Sequence, residues 1–147
     1  MDQYSASIEK LNQKLAQLSL TDRIRAQVGD MAELTIAPSS LDLIWSEGAL
    51  YNIGIPRALS ICTGLLRKCG YLVFTDAVWC RANPPDTVKA ILESDYPTMG
   101  TVANLVSLIQ SSPFELMNHF PLPPEAWWDF LHPDGTDHRR IPWEIRG

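Results

Sequence analysis

LDLIWSEGALYNIG, residues 41–54, is the stretch that decides the fold. Its first six residues are mostly apolar and predict a strand, residues 41–46, that is buried on both faces. An acidic, glycine-containing loop follows directly, with Glu47 and Gly48 at its start. Because open α/β sheets bind their ligands at the carboxyl ends of strands, this loop is a candidate binding site.

Helices and strands alternate in the rest of the chain. Apolar residues at helical spacing predict helices over residues 5–18, 56–68, 86–94 and 101–111. Apolar runs predict further strands over residues 24–28, 71–78 and 114–122. Arg67 and Lys68 are placed in the last turn of the second helix, which Gly70 would close. Strands alternating with helices imply a mostly parallel sheet covered by helices, so the predicted fold class is α/β.

Composition and charge exclude several classes of protein. The chain has 147 residues, of which 46% are hydrophobic and 20% charged, as in ordinary globular domains. A net charge of −5 argues against a general nucleic-acid binder or a membrane-surface binder, since both usually carry a basic face. The N-terminus lacks a secretory signal, and no apolar run approaches the ~18 residues of a membrane span. We therefore expect a cytoplasmic protein.

Motifs of several enzyme classes are absent from the sequence. The three cysteines include no CxxC pair, and the histidines have no ligand-type spacing, so neither a disulfide framework nor a metal site is predicted. The sequence contains no GxSxG, no Walker A pattern and no GxGxxG. These absences argue against serine hydrolases, P-loop proteins and nicotinamide-dependent dehydrogenases.

Acidic residues stand where predicted strands end or helices begin. Asp2 precedes the first helix, Asp30 follows the strand over 24–28, and Glu47 follows the strand over 41–46. The carboxyl ends of parallel strands lie along one edge, so these carboxylates would line one crevice and accept hydrogen bonds from ribose hydroxyls or an amino group. The alternative is that each one caps a helix or a turn.

Two further positions have alternative interpretations near the same edge. Asp76 either orients an acceptor molecule, or acts as a base, or serves as a structural hydrogen-bond acceptor. Tyr51 either shapes an acceptor pocket or packs against the core. Trp45 and Trp79 stand near strand ends, and we expect both to fill the core.

Three blocks of sequence resemble one known family. VGDMAEL (28–34), LDLIWSEGALYNIG (41–54) and LLRKCGYLVFTDAVW (65–79) look like consecutive blocks of class I S-adenosylmethionine-dependent methyltransferases. They most resemble a bacterial group that acts on small molecules and whose fourth strand reads DLIWSEGAIYNIGF. The resemblance extends over residues 2–128. It implies a Rossmann-like fold, S-adenosylmethionine as cofactor and methyl transfer to a small-molecule acceptor.

The resemblance also implies roles for individual residues, while no catalytic residue is assigned. The matching cofactor positions are Asp2, Asp30, Met31, Ser46, Glu47 and Gly48. In the family the first of these binds the ribose hydroxyls, the next two lie beside the adenine, and the last three lie beneath the methionine part. Tyr51 and Asp76 are the candidates for the acceptor pocket.

The family pattern is not complete in this sequence. The resemblance predicts a partial methyltransferase domain over residues 1–131 and a divergent tail over residues 132–147. Relative to the family's sheet, truncation at both ends would leave out the first strand with its glycine-rich loop, most of the second strand, and the seventh. The alternative function is therefore an inactive remnant or interaction module that needs a partner chain. A homo-oligomer or a complementing chain would supply the missing surfaces.

Overall fold

A computed structural model describes residues 1–81, 83–123 and 126 of the chain. Within these residues helices alternate with the strands of a small sheet. The elements are α1 (Ser5–Gln17), β1 (Leu41–Glu47), a 3₁₀ helix (Leu50–Ile53), α2 (Ile55–Leu65), β2 (Leu66–Thr75), α3 (Asp86–Asp95) and α4 (Val102–Gln110). The α/β prediction and all four predicted helices are confirmed, with shifts at their ends.

The two strands form a parallel sheet joined by a helical crossover. β1 pairs with β2 so that Leu43 lies opposite Tyr71 and Glu47 lies opposite Thr75. The 3₁₀ helix and α2 connect them, as parallel pairing requires, because the chain must return to the start of the sheet. Both strands therefore end at the same edge, and the loops that follow them begin side by side.

Helix α2 supplies much of the buried core. Its buried residues recur every three or four positions, as expected for one face of a helix: Ile55, Ala58, Leu59, Cys62 and Leu65. Pro56 lies in the first turn, where the missing N–H costs no helical hydrogen bond. Helix α2 contacts β2, which follows it directly in the chain, so its packing helps to position the second strand.

The end of α2 differs from the prediction. The helix stops at Leu65, and Leu66 already has extended backbone angles, φ −75° and ψ 138°. The carbonyls of Gly64 and Leu65 accept hydrogen bonds from the backbone N–H groups of Ser39 and Ser40, at 3.0 and 2.9 Å. Since these carbonyls are satisfied by the segment that leads into β1, the chain leaves the helix there.

The helical positions predicted for two basic residues are consequently wrong. Arg67 and Lys68 belong to β2 rather than to the last turn of a helix. Arg67 forms an exposed ion pair with Asp42 of β1, with 2.6 Å between Nε and Oδ1. The register of the two strands shifts between the pairs Leu41–Leu66 and Leu43–Tyr71. Cys69, with a φ of 61°, lies within this irregular part of β2.

The strand predicted over residues 24–28 is wrong except at its last residue. Val28 forms a single parallel bridge with Asp2. The N–H of Asp2 donates to the carbonyl of Gln27 at 3.3 Å, and the N–H of Gly29 donates to the carbonyl of Asp2 at 3.0 Å. Asp2 alone provides a partner in the described chain, so residues 24–27 have no ladder to join.

The strand predicted over residues 114–122 is also wrong. In the described residues this segment has no regular structure and pairs with no strand. The chain forms one compact unit from Met1 to Glu115 and a second from Leu116 to Gly147. The predicted boundary between residues 131 and 132 lies outside the described residues.

Among the residues described, no helix is both long and apolar enough to cross a membrane.

One face of the sheet is exposed, which contradicts the prediction that β1 is buried on both faces. The residues of this face form two opposed pairs, Leu43 with Tyr71 and Trp45 with Val73. Their exposed fractions are 48%, 60%, 64% and 41% respectively. Trp45 therefore does not fill the core. Nothing in the described part of the chain covers this face closely enough to bury it, although its side chains are as apolar as those of a core strand.

Helix α4 begins with a capping box that allows a test of local stability. Thr101 Oγ1 accepts a hydrogen bond from the N–H of Asn104, and the Asn104 side chain accepts one from the N–H of Thr101. We expect Thr101→Ala to lower the free energy of unfolding by about 1 kcal/mol, since one cap is lost. Thr101→Ser, which keeps the hydroxyl, is the control. Equal urea midpoints for the two variants would contradict this role of the cap.

Candidate functional site

The loop after β1 is tied to the last residue of β2. The N–H of Gly48 donates to both the carbonyl oxygen and the Oγ1 of Thr75, at 3.2 and 2.9 Å. Gly48 has a φ of 53°, in the left-handed region where a Cβ atom is unfavourable. A Cβ built on Gly48 would meet no atom within 4 Å. The loop thus leaves open space at the carboxyl edge of the sheet, where α/β proteins bind ligands.

Two residues next to Gly48 end β1. Ser46 lies opposite Phe74 and is half-buried, whereas Glu47 is exposed. The Glu47 carboxylate accepts a hydrogen bond from the indole N–H of Trp45, with 2.9 Å between Nε1 and Oε1. Its other oxygen makes no hydrogen bond within the described residues. An acidic group with an available acceptor oxygen therefore stands at the strand end.

The predicted residues near the N-terminus form a second group. Asp2 forms a parallel β-bridge with Val28, and Asp30 lies two residues after Val28 in the chain. The Oδ1 of Asp2 accepts from the N–H of Tyr4 at 2.9 Å, and the Oδ1 of Asp30 accepts from the N–H of Ala32 at 2.8 Å. Met31 is half-buried. Both carboxylates thus cap local turns through one oxygen, as the alternative interpretation had it, while the other oxygen has no partner in the described chain.

The structure brings the predicted cofactor positions together as two groups. One group, at the end of β1, contains Ser46, Glu47 and Gly48, and the other contains Asp2, Asp30 and Met31. Among the described residues, no hydrogen bond or strand pairing links the two groups. Asp2 pairs with Val28 and Ser46 pairs with Phe74, both in parallel, and that the two groups line one crevice stays a prediction.

Asp76 and Tyr51, the candidates for the acceptor pocket, meet through a third residue. The hydroxyl of Tyr96 donates to Oδ2 of Asp76 at 2.9 Å. The rings of Tyr51 and Tyr96 are stacked, with centroids 4.7 Å apart and an interplanar angle of 25°. Tyr96 is only 7% exposed. Since Asp76 follows Thr75 directly, this cluster adjoins the Gly48 loop.

Burial alters the acid–base properties of the Asp76–Tyr96 pair. Loss of solvent raises the pKa of the Asp76 carboxyl above its ordinary value, and the hydrogen bond from Tyr96 opposes that rise. Burial also raises the pKa of the Tyr96 hydroxyl, and the nearby Asp76 carboxylate raises it further. Tyr96 therefore stays protonated and acts as the donor, with the Asp76 carboxylate as the acceptor.

The raised pKa of Asp76 predicts a specific pH dependence of stability. Its stabilising contribution is complete below its ordinary pKa of 3.8 and is lost as the pH rises through the folded-state pKa. Asp76→Asn cannot titrate but keeps an acceptor for the Tyr96 hydroxyl. We therefore expect the unfolding free energy of the wild type, relative to this variant, to fall as the pH rises above 3.8. Urea unfolding across this range measures the difference, and a constant or rising difference would contradict the assignment.

Sequence reasoning missed two residues of this edge. Thr75, which holds the Gly48 loop, and Tyr96, which holds Asp76, belong to no recognisable motif. The one available signal for Thr75 was its position directly before Asp76. Tyr96 comes 20 residues after Asp76 and only the fold brings it close.

Asn52, adjacent to Tyr51, is exposed and donates from its own side chain to the carbonyl of Ala49 at 3.0 Å.

A groove elsewhere on the molecule offers little chemistry. It has a volume of about 320 Å³ and lies between α2 and α4, with Leu59, Thr63 and Leu108 in its walls. No charged side chain lines it. In the described part of the chain, no three His, Cys, Asp or Glu side chains are grouped so as to hold a metal ion. The carboxyl edge of the sheet is therefore the stronger candidate site.

Comparison with known proteins identifies the family. The family model described as "Methyltransferase domain" matches residues 1–74, half of the chain. The chain belongs to this methyltransferase family. Membership confirms the resemblance of the sequence blocks to class I methyltransferases, and all six predicted cofactor positions lie within the matched residues. No curated protein sequence matches the chain.

Solved methyltransferase structures share the fold of this methyltransferase chain. One is a geranyl diphosphate methyltransferase in complex with SAM, with a TM-score of 0.73 and 15% sequence identity. The match covers 89% of this chain and 54% of the methyltransferase chain. Another is a putative sarcosine dimethylglycine methyltransferase from Galdieria sulphuraria, with a TM-score of 0.69 and 20% sequence identity. The match covers 81% of this chain and 47% of that protein's chain. The geranyl diphosphate C-methyltransferase of Streptomyces coelicolor A3(2), at 14% identity, has a TM-score of 0.66 and covers 78% and 43%.

These similarities establish a partial Rossmann-like methyltransferase fold. The described residues include a parallel strand pair joined through α2, as in an α/β sheet. The chain spans about half the length of the solved structures that it matches, between 43% and 54% of the three above. At such low identity the likeness concerns the fold and not the reaction.

Proposed function

We propose that this methyltransferase chain binds S-adenosylmethionine and serves methyl transfer to a small-molecule acceptor. The observation that carries the proposal is the open, left-handed Gly48 loop at the carboxyl edge of the β1–β2 sheet. This loop lies inside the residues matched by the family model. The two geranyl diphosphate methyltransferase structures above are complexes with SAM and S-adenosylhomocysteine respectively, which supports the same cofactor here.

The residues present fit this cofactor in their chemistry. The ribose hydroxyls and the adenine amino group are hydrogen-bond donors, and Asp2 and Asp30 each retain one carboxylate oxygen without a partner in the described chain. Met31, half-buried beside Asp30, would pack against the adenine. Ser46, Glu47 and Gly48 would lie beneath the methionine part, where the space above Gly48 leaves room for it.

Charge at the strand ends also suits this cofactor. When bound, S-adenosylmethionine supplies a methyl group carried by a positively charged sulfonium. Glu47 ends β1 and Asp76 follows β2, and the two carboxylates create a negative potential at the carboxyl edge, which is complementary to a cation. Tyr51 and Asp76 would then face the acceptor. The contribution of the chain is to hold both molecules in place and to exclude water.

The acceptor and the extent of the domain are further parts of this proposal. The similar structures include a geranyl diphosphate C-methyltransferase and a putative sarcosine dimethylglycine methyltransferase, so this fold serves acceptors of different chemistry. We propose a partial methyltransferase domain over residues 1–131 followed by a tail of divergent sequence over residues 132–147, in a cytoplasmic protein. Neither the family match nor the structural similarities support the alternative of an inactive interaction module.

Labelled cofactor tests the proposed reaction. The purified chain is incubated with S-adenosylmethionine carrying a ¹³C-labelled methyl group and with a small-molecule extract, and products are followed by mass spectrometry. We expect a labelled product to form together with S-adenosylhomocysteine in equal amounts. Gly48→Val, which closes the proposed cofactor space, is the matched control and should form neither. Equal label incorporation by this variant would contradict the assigned site.

A further inference from the structure

The carboxyl group of Asp76 has one oxygen engaged and one buried without a partner. Oδ2 accepts the hydrogen bond from the Tyr96 hydroxyl. Oδ1 is shielded from solvent and has no hydrogen-bond partner of ordinary geometry within the described chain, although the backbone N–H of the neighbouring Ala77 is near enough to lower the pKa of the carboxyl. Buried carboxyl oxygens in native proteins are nearly always hydrogen-bonded, so an unpaired one at a candidate site indicates that a ligand supplies the donor.

Tyr96 fixes this carboxyl group but cannot itself serve the ligand as a donor. A tyrosine hydroxyl has a single proton, and in Tyr96 it is directed at Oδ2 of Asp76. The ring of Tyr96 is buried and stacked on Tyr51. Because the ring cannot turn without breaking both contacts, it holds the carboxylate in one orientation.

The charges around Asp76 favour a cation or a proton donor over an anion. The segments that follow the two strands and α3, residues 46–54, 74–80 and 96–101, contain Glu47 and Asp76 and no lysine or arginine. Phosphate groups are most often bound by arginine or lysine, which these segments do not contain, although the N-caps of α2 and α4, Gly54 and Thr101, lie at the ends of two of them. The half-buried ring of Tyr51 adds an aromatic face, which attracts ammonium groups.

We propose that the acceptor is an amine whose N–H group donates a hydrogen bond to Oδ1 of Asp76, with Tyr96 as the positioning residue. This inference rests on the proposed function, because it concerns the acceptor side of the same site. It assigns a substrate class, a nitrogen compound rather than a diphosphate, and it adds Tyr96 to the residues on which acceptor binding depends.

Three probes that differ only in their polar group test the inference. 2-Phenylethylamine, 2-phenylethanol and 2-phenylethyl phosphate are titrated into the full chain, and NMR follows the Asp76 carboxyl carbon and the Ala77 amide. We expect the amine to bind at least about tenfold more tightly than the other two. Asp76→Asn should remove that preference, whereas Glu9→Gln, the same charge change on the exposed side of α1, should leave it intact.

Each outcome of this titration decides the inference. A phosphate probe that binds as tightly as the amine, or an amine affinity unchanged in Asp76→Asn, would overturn it. A separate titration with S-adenosylhomocysteine reports on the Gly48 amide. Its failure would count against the proposed cofactor site, whereas failure of the amine titration alone would overturn only the acceptor class.

Tyr96→Phe distinguishes a positioning role from a merely structural one. This variant keeps the ring that stacks on Tyr51 and removes only the hydroxyl. Since the hydrogen bond from Tyr96 lowers the pKa of Asp76, its loss should raise that pKa further, and the amine affinity should fall. A carboxyl titration identical to the wild type, in a folded variant, would contradict this role.

Discussion

Gly48→Val is expected to weaken the binding of S-adenosylhomocysteine by at least about tenfold, which corresponds to 1.4 kcal/mol. Gly48 has a φ of 53°, and a β-branched residue is strongly disfavoured there. If the backbone rotates to relieve the strain, the two hydrogen bonds from the Gly48 N–H to Thr75 are lost. If it does not rotate, the side chain enters the space proposed for the cofactor. Either result reduces binding, which calorimetry measures directly.

Gly64 provides the matched control for this substitution. It lies in α2, an added Cβ atom would meet nothing within 4 Å, and its φ is outside the left-handed region. Gly64→Val therefore adds the same side chain without the strain and away from the carboxyl ends of the strands. We expect its affinity to stay within about twofold of the wild type. If both variants bind equally well, the cofactor does not bind over Gly48.

Leu59→Ala is expected to lower the free energy of unfolding by about 2–5 kcal/mol, the largest effect on stability predicted for this chain. Leu59 lies in the middle of the buried face of α2 and is only 2% exposed. Its removal leaves a cavity that the surrounding helix and strand cannot fill without losing other contacts. Because α2 contacts β2, the loss would also loosen the strand that holds the Gly48 loop.

Ser60→Ala separates the loss of packing from any effect on the helix itself. Ser60 is the next residue of α2 and is exposed, so this change should alter stability by less than about 0.5 kcal/mol. Urea unfolding followed by circular dichroism compares both variants with the wild type. A loss below about 1 kcal/mol for Leu59→Ala would mean that the α2 face is not the core of the fold.

Local patterns in the sequence were sufficient to predict the helices and the central strand pair. Apolar spacing predicts the buried face of α2, and the apolar runs at 41–46 and 71–78 predict strands that the structure pairs in parallel. The end of α2 could not be predicted in this way. Leu65, Leu66, Arg67 and Lys68 continue a helical pattern, whereas the hydrogen bonds from Ser39 and Ser40 that end the helix come from distant residues.

Strand predictions failed where pairing partners decided the outcome. Residues 24–28 and 114–122 have apolar character, yet a strand forms only if another backbone segment lies alongside. In the described chain only Asp2 lies beside the first segment, and none lies beside the second. Exposure of Trp45 has a related cause, because its burial depends on a covering element that the sequence of β1 does not specify.

The sequence predicts which residues stand at the strand ends, and their role as a binding site stays a prediction. Glu47 and Gly48 could be placed at a strand end from the sequence around them, and Asp76 from the end of the next strand. The contacts that give these residues their properties come from Thr75 and Tyr96. Tyr96 in particular is brought to Asp76 by the fold of α3, and no local pattern signals such a long-range hydrogen bond.

Calorimetric titration of the purified chain with S-adenosylhomocysteine measures binding at the proposed cofactor site. We expect saturable one-to-one binding with a Kd of about 100 μM or tighter, roughly 5.5 kcal/mol or more. We also expect that adenosine, which lacks the homocysteine part placed over Ser46, Glu47 and Gly48, binds more weakly. A Kd no better than about 1 mM, near 4 kcal/mol, would contradict the proposal that this chain binds the cofactor.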